Sequence, residues 1–180
     1  MADKILIRPL ATAPQTYQWL HLDSRSRVTQ RGELDALASA ASSLEAVVLL
    51  PAAMVLLTEA DLPIKNPAQI RQALPFALED KLADDIERYH LVWTRQENQK
   101  LAVAAIAKQA FADCLAPLRQ AGIEVTAAYP EALCLPYRAD ECSIWVEGEQ
   151  AWFRRDVWQG GGIDVSAMPL VLDKCREQGT

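Results

Sequence analysis

Glycine is scarce in this chain, with seven residues in 180, and none precedes Gly32. A nucleoside triphosphate held by a glycine-rich loop needs such residues, and no G-x-x-x-x-G-K-[ST] run occurs. Histidine is limited to His21 and His90. The four cysteines, Cys114, Cys134, Cys142 and Cys175, include no C-x-x-C pair. A zinc site built from clustered ligands is therefore excluded, and the cysteines read as reduced structural thiols. Basic runs are also missing: no Lys/Arg stretch exceeds Arg154–Arg155, and the net charge is −6. A protein that binds nucleic acid through its phosphates needs the opposite balance, so nucleic-acid binding is not expected. Finally, no long hydrophobic run is present. Ala46–Leu57 is broken by Pro51 and falls well short of the about 20 residues that cross a bilayer. Ile5-Leu6-Ile7 is too short for the core of a signal peptide.

What the chain does contain is material for a core: 51% of residues are apolar and 23% charged. Lys4–Leu10 reads as a strand stopped at Pro9. Tyr17–Asp23 alternates, with Tyr17, Trp19 and His21 on one face, and Arg27–Gly32 reads as a third strand after the turn Asp23–Ser26. These three segments predict an antiparallel meander. Leu34, Leu37, Ala38, Ala41 and Leu44 stand at helical spacing, and Ala46–Leu50 suits a strand buried on both faces. Met54–Thr58 predicts a further strand. Asn66-Pro67 then opens a helix: Asn66 can cap it and Pro67 suits its first position. Ile70, Leu74, Leu78 and Leu82 form its apolar stripe, and Pro75 inside it predicts a kink or a split. Tyr89–Trp93 and Leu101–Ala107 predict a hairpin, Lys108–Gln120 a helix stopped at Gly122, and Val125–Tyr129 another strand.

Three antiparallel strands followed by alternating helices and strands is the pattern of a ribonuclease-H-like half, the unit from which the actin-like fold is built. The fold expected is thus α/β with a mixed sheet. Residues 1–135 form a first lobe, with an inserted hairpin near 89–107, and residues 136–180 begin a second. In that second part Cys142–Val146 and Ala151–Trp158 read as strands, Glu147-Gly148-Glu149 as a turn, and Gly160–Gly162 as a flexible loop. The last apolar stretch, Val171–Cys175, reads as an element cut short, which predicts a fragment of a longer protein.

The segment Gln72–His90 carries a resemblance. In type II secretion protein L a helix reads A-L-P-[FY]-x-L-E, followed by an acidic L-A-x-D element and a histidine opening a strand. Ala73-Leu74-Pro75-Phe76, Leu78-Glu79, Leu82-Ala83, Asp85 and His90 stand at those positions, and about the first 130 residues are similar to that family. Tyr129–Leu133 resembles the crossover of a related pilus-assembly protein. The resemblance implies an actin-like region at the cytoplasmic face of the bacterial inner membrane, joined to the membrane only through a C-terminal transmembrane helix. It also implies a non-enzymatic scaffold that binds the N-terminal domain of the secretion ATPase and other platform proteins. A homodimer is a further expected partner state.

The actin-like frame raises the question of catalysis. Active members place a glycine turn after the first strand, so that backbone N–H groups approach phosphate. Here that segment is Ile7-Arg8-Pro9-Leu10-Ala11-Thr12, and Pro9 has no N–H to donate. The second phosphate turn falls on Glu147-Gly148-Glu149, whose carboxylates repel nucleotide. No cofactor and no catalytic residue is expected. Asp84, Asp85, Glu87 and His90 do not suggest a metal or acid–base site, because adjacent Asp84 and Asp85 diverge by about 100° on a helix. The expected partner contacts are the acidic edge Glu79, Asp80, Asp84 and Asp85, the helix beginning at Lys108, and Trp152, placed on an edge strand. The readings that compete with the scaffold are a degenerate actin-like ATPase and the cytoplasmic assembly protein of a type IV pilus.

Overall fold

The structure, a computed structural model, describes residues 3–10, 16–33 and 44–177. The meander forms as the alternation predicts: β1 (Lys4–Pro9), β2 (Tyr17–Leu22) and β3 (Val28–Glu33) pair antiparallel. In β2 Tyr17 and Trp19 point into the core while Gln18 and Leu20 face water. β4 (Glu45–Leu50) lies parallel to β1, and β8 (Val125–Pro130) lies parallel to β4, giving the order β3-β2-β1-β4-β8. Successive residues Ala46, Val47 and Val48 are all buried, because β4 sits inside the sheet and both its faces are covered. The helix expected over Leu34–Leu44 lies outside the described residues except at Leu44, which packs on the core. The helix Lys108–Gln120 covers this sheet, bringing Leu115 and Leu118 into one core with Ile5, Ile7 and Val48.

A second sheet holds β5 (Val55–Ala60), β7 (Leu101–Ala107) and β6 (Tyr89–Arg95), with β7 central. The hairpin expected near 89–107 therefore pairs with β5 and makes a sheet of its own. Helix α1 (Pro67–Leu78) covers this sheet, packing Ile70, Leu74 and Leu78 against Ala60, Leu101 and Val103. Asn66 caps it, its side-chain oxygen accepting from the Ala68 N–H at 2.8 Å. Pro75 does not split α1, which continues to Leu78 as one helix. The bond that proline deletes is the one to the carbonyl of Arg71, an exposed residue, so water can satisfy it.

The third sheet has the order β11-β10-β9, with β9 (Ser143–Glu147), β10 (Gln150–Asp156) and β11 (Gln159–Asp164). Two expectations change here. Gly160–Gly162 lies in strand β11, not in a loop. A Cβ on Gly162 would stand 2.6 Å from the Ala53 nitrogen and 3.0 Å from the Ala52 carbonyl carbon, so glycine lets β11 run against the 3-10 turn Ala52–Met54. And β10, which carries Trp152, is the central strand. With the helix Lys108–Gln120 as α2, helix α3 (Met168–Glu177) closes the described chain. It contains Val171–Cys175 and buries Cys175.

Candidate functional site

Three elements meet at the carboxyl end of β1. Arg8 donates to Glu147, at the β9–β10 turn, over 2.5 Å, and to Glu131, which opens the 3-10 turn Glu131–Cys134 after β8, over 3.4 Å. Its guanidinium also lies over the Trp152 ring, 4.9 Å from the centroid. Arg154 on β10 fastens the same crossover, donating to the carbonyls of Leu133 at 2.7 Å and Leu135 at 2.8 Å. Beneath these polar contacts Ala52, Ala132 and Trp152 form a small buried cluster.

The charges around Arg8 are unequal. Burial raises the pKa of Glu131 and Arg8 only partly offsets it. Glu147 lies nearer solvent, and its hydrogen bond from Arg8 lowers its pKa. Burial alone would lower the Arg8 pKa, but the bond to Glu147 and the two carboxylates outweigh it and raise it. Arg8 thus ties the end of β1 to the end of β9, within the segments Ile7–Thr12 and Glu147–Glu149. Those are the two places that the sequence assigns to phosphate turns. No spacing rule pairs residues 123 and 139 positions apart, so Arg8 with Glu131 and Glu147 was invisible in the sequence.

The acidic segment has a different local structure from the one expected. Glu79 and Asp80 stand exposed in the 3-10 turn Glu79–Lys81 that follows α1. Lys81 pins this turn to β5, donating to the Glu59 carbonyl at 2.6 Å and the Thr58 hydroxyl at 3.1 Å. Asp84 and Asp85 do not share a helix. Asp84 lies in a bend and contacts Arg88 at 3.4 Å. The Asp85 carboxylate accepts from the Glu87 N–H at 3.1 Å and caps a second 3-10 turn, Ile86–Arg88. Leu82 and Ile86, packed on the α1 core, hold the segment down while its carboxylates remain exposed.

The two remaining expected contacts are occupied within the chain. Lys108, at the start of α2, donates to the Glu87 carbonyl at 2.8 Å and ties α2 to the acidic segment. Trp152 is 7% exposed in the junction under Arg8 and has no free face for a partner, a correction that follows from its central strand. His90 stacks on Phe111, ring centroids 5.6 Å apart, and His21 hydrogen-bonds Thr29 at 2.7 Å. Both histidines serve the fold. Phe76, by contrast, is 78% exposed, on the side of α1 away from the Ile70–Leu74–Leu78 stripe.

Sheet order and helix placement define an α/β protein of the actin-like class. The cytoplasmic domain of EpsL, an inner-membrane component of the type II secretion system of Vibrio cholerae, superposes with a TM-score of 0.79 at 24% identity, over 94% of this chain and 74% of that one. A PilM–PilN type IV pilus biogenesis complex gives 0.65 at 12% identity, over 97% of this chain and 65% of that one. An actin-like ATPase-fold protein of unknown function from Bacteroides thetaiotaomicron gives 0.54 at 8%, over 98% and 77%.

The family model for type II secretion system (T2SS) protein L matches residues 5–178, and the chain belongs to that family. Type II secretion system protein L of Klebsiella pneumoniae is 31% identical, covering 69% of this chain and 31% of its own length. That of Dickeya chrysanthemi is 28% identical, covering 92% and 42%, and that of Vibrio cholerae 26%, covering 74% and 33%. The chain thus spans about a quarter to two fifths of the length of the curated relatives it matches. Among the described residues no helix is long and apolar enough to cross a membrane.

Proposed function

We propose that this chain is a non-enzymatic scaffold at the cytoplasmic face of the bacterial inner membrane, binding and positioning the secretion ATPase within the type II secretion platform. Residues 1–135 form one actin-like lobe and residues 136–180 begin another. The observation that carries the non-catalytic part is the Arg8–Glu147 ion pair. It joins the ends of β1 and β9, within the two segments that correspond to the phosphate turns of an actin-like enzyme, and sets a carboxylate there. A nucleotide would have to displace that carboxylate, and the segment at the end of β1 has no glycine to receive its phosphates. The binding part rests on family membership and on the exposed carboxylates of Glu79, Asp80, Asp84 and Asp85, which complement a basic partner surface. Other inner-membrane platform proteins are the further partners of this reading.

Two measurements test it. Titration calorimetry with the purified N-terminal domain of the secretion ATPase from the same organism is expected to show saturable binding that weakens with salt. Calorimetry with ATP and Mg²⁺ is expected to show no heat of binding. Saturable nucleotide binding with turnover would replace the scaffold with a degenerate actin-like ATPase, and absence of ATPase-domain binding would remove its partner.

A further inference from the structure

Helix α1 divides the family's sequence signature into two functions. Ile70, Leu74 and Leu78 are at most 1% exposed and hold the helix on the second sheet. At 100° per residue, Phe76 lies nearly opposite that stripe, two positions from Leu74 and two from Leu78. Gln69, Gln72 and Phe76 follow each other on the outward side of the helix, all exposed, and exposed Asp80 stands in the 3-10 turn that continues the chain. A phenylalanine that is 78% in water adds little to the core beneath it, whereas aromatic residues, phenylalanine among them, are enriched at protein interfaces.

What surrounds Phe76 specifies the partner. One turn further on come Glu79 and Asp80, and Asp84, Asp85 and Glu87 follow; Lys81 and Arg88 are the basic residues of that stretch. Lys81 is turned onto β5 and Arg88 is paired with Asp84. The aromatic ring therefore stands at the head of an acidic ridge. Its complement is an apolar recess rimmed by lysine or arginine.

We infer that Phe76 is the apolar anchor of the docking face, seated in a basic-rimmed apolar recess on the N-terminal domain of the secretion ATPase, with Glu79 and Asp80 meeting the rim. This rests on the scaffold reading above and adds the residue on which affinity turns. A ring buried at the centre contributes a contact that salt does not screen, while the surrounding carboxylates contribute one that it does.

The test measures binding of the purified ATPase N-terminal domain to the wild-type chain, Phe76→Ala, Phe76→Leu and Glu79→Lys, across a salt series, with the melting temperature of each. Phe76→Ala is expected to weaken binding roughly tenfold or more at every salt concentration while leaving the melting temperature unchanged. Phe76→Leu should recover part of the loss, and Glu79→Lys should flatten the salt dependence instead. Wild-type affinity retained in Phe76→Ala overturns the anchor and leaves the scaffold standing. A large fall in melting temperature overturns it too, since Phe76 would then serve the fold. No binding by the wild-type chain removes the scaffold reading and the anchor with it. Self-association of the wild-type chain that Phe76→Ala abolishes assigns the face to a second copy and overturns the ATPase as its occupant.

Discussion

Tyr17 is almost enclosed, and its hydroxyl donates to the Cys114 carbonyl at 2.8 Å. Burial pushes its pKa up to about 12 and that of Cys114 up to about 11. A raised acid pKa stabilises the fold below the group's ordinary value, and that stability is lost as pH rises toward the folded value. Urea unfolding is therefore expected to show stability falling above about pH 9, where an unfolded Cys114 thiol ionises, and more steeply above about pH 10, where an unfolded Tyr17 does. Tyr17→Phe should reduce that slope without abolishing it, because Cys114 acts in the same direction, and should cost about 1 kcal/mol at neutral pH. Glu147 behaves oppositely. Its pKa is lowered by Arg8, so its contribution is present above the ordinary carboxylate value near 4.3 and is lost on acidification. Because Glu147 is half exposed, a double-mutant cycle of Arg8→Met with Glu147→Gln should return a coupling of only about 0.5–1 kcal/mol.

Helix α1 is the element on which the second sheet depends. Leu74 is 1% exposed between Ile70 and Leu78, so Leu74→Ala should cost about 2–5 kcal/mol in chemical denaturation. Asn66→Ala should cost about 1 kcal/mol by freeing the Ala68 N–H. The stripe, the cap and the helix start were legible in the sequence, since each depends on residues within two turns of one another. The acidic segment after it was legible in composition and not in form. Asp85 caps a 3-10 turn, and Lys81 is drawn to β5, a strand more than twenty residues away in sequence. The same holds for Gly160–Gly162: three glycines suggest a loop until a neighbouring backbone requires them in a strand.

Across the whole molecule, the three sheets converge where β11 meets the Ala52–Met54 turn and where Trp152 lies under Arg8. Gly162→Ala places a carbon against backbone that cannot rotate away, so the third sheet must shift; a loss of about 1–3 kcal/mol is expected from thermal or urea unfolding. Trp152→Ala should cost about 3–5 kcal/mol, because a large buried ring is removed from the point where the sheets join.

The sequence by itself determined the strand meander, the helices α1 and α2, the α/β class and, through Gln72–His90, the family. These follow from alternation, periodicity and local capping, which act over a few residues and leave a pattern in the chain. The tertiary structure alone decided that Trp152 is central and enclosed, that Arg8 ties the end of β1 to the end of β9, and that Gly160–Gly162 runs as a strand. Burial and ion pairing are properties of which segments meet, and residues more than a hundred positions apart carry no local signature of their meeting.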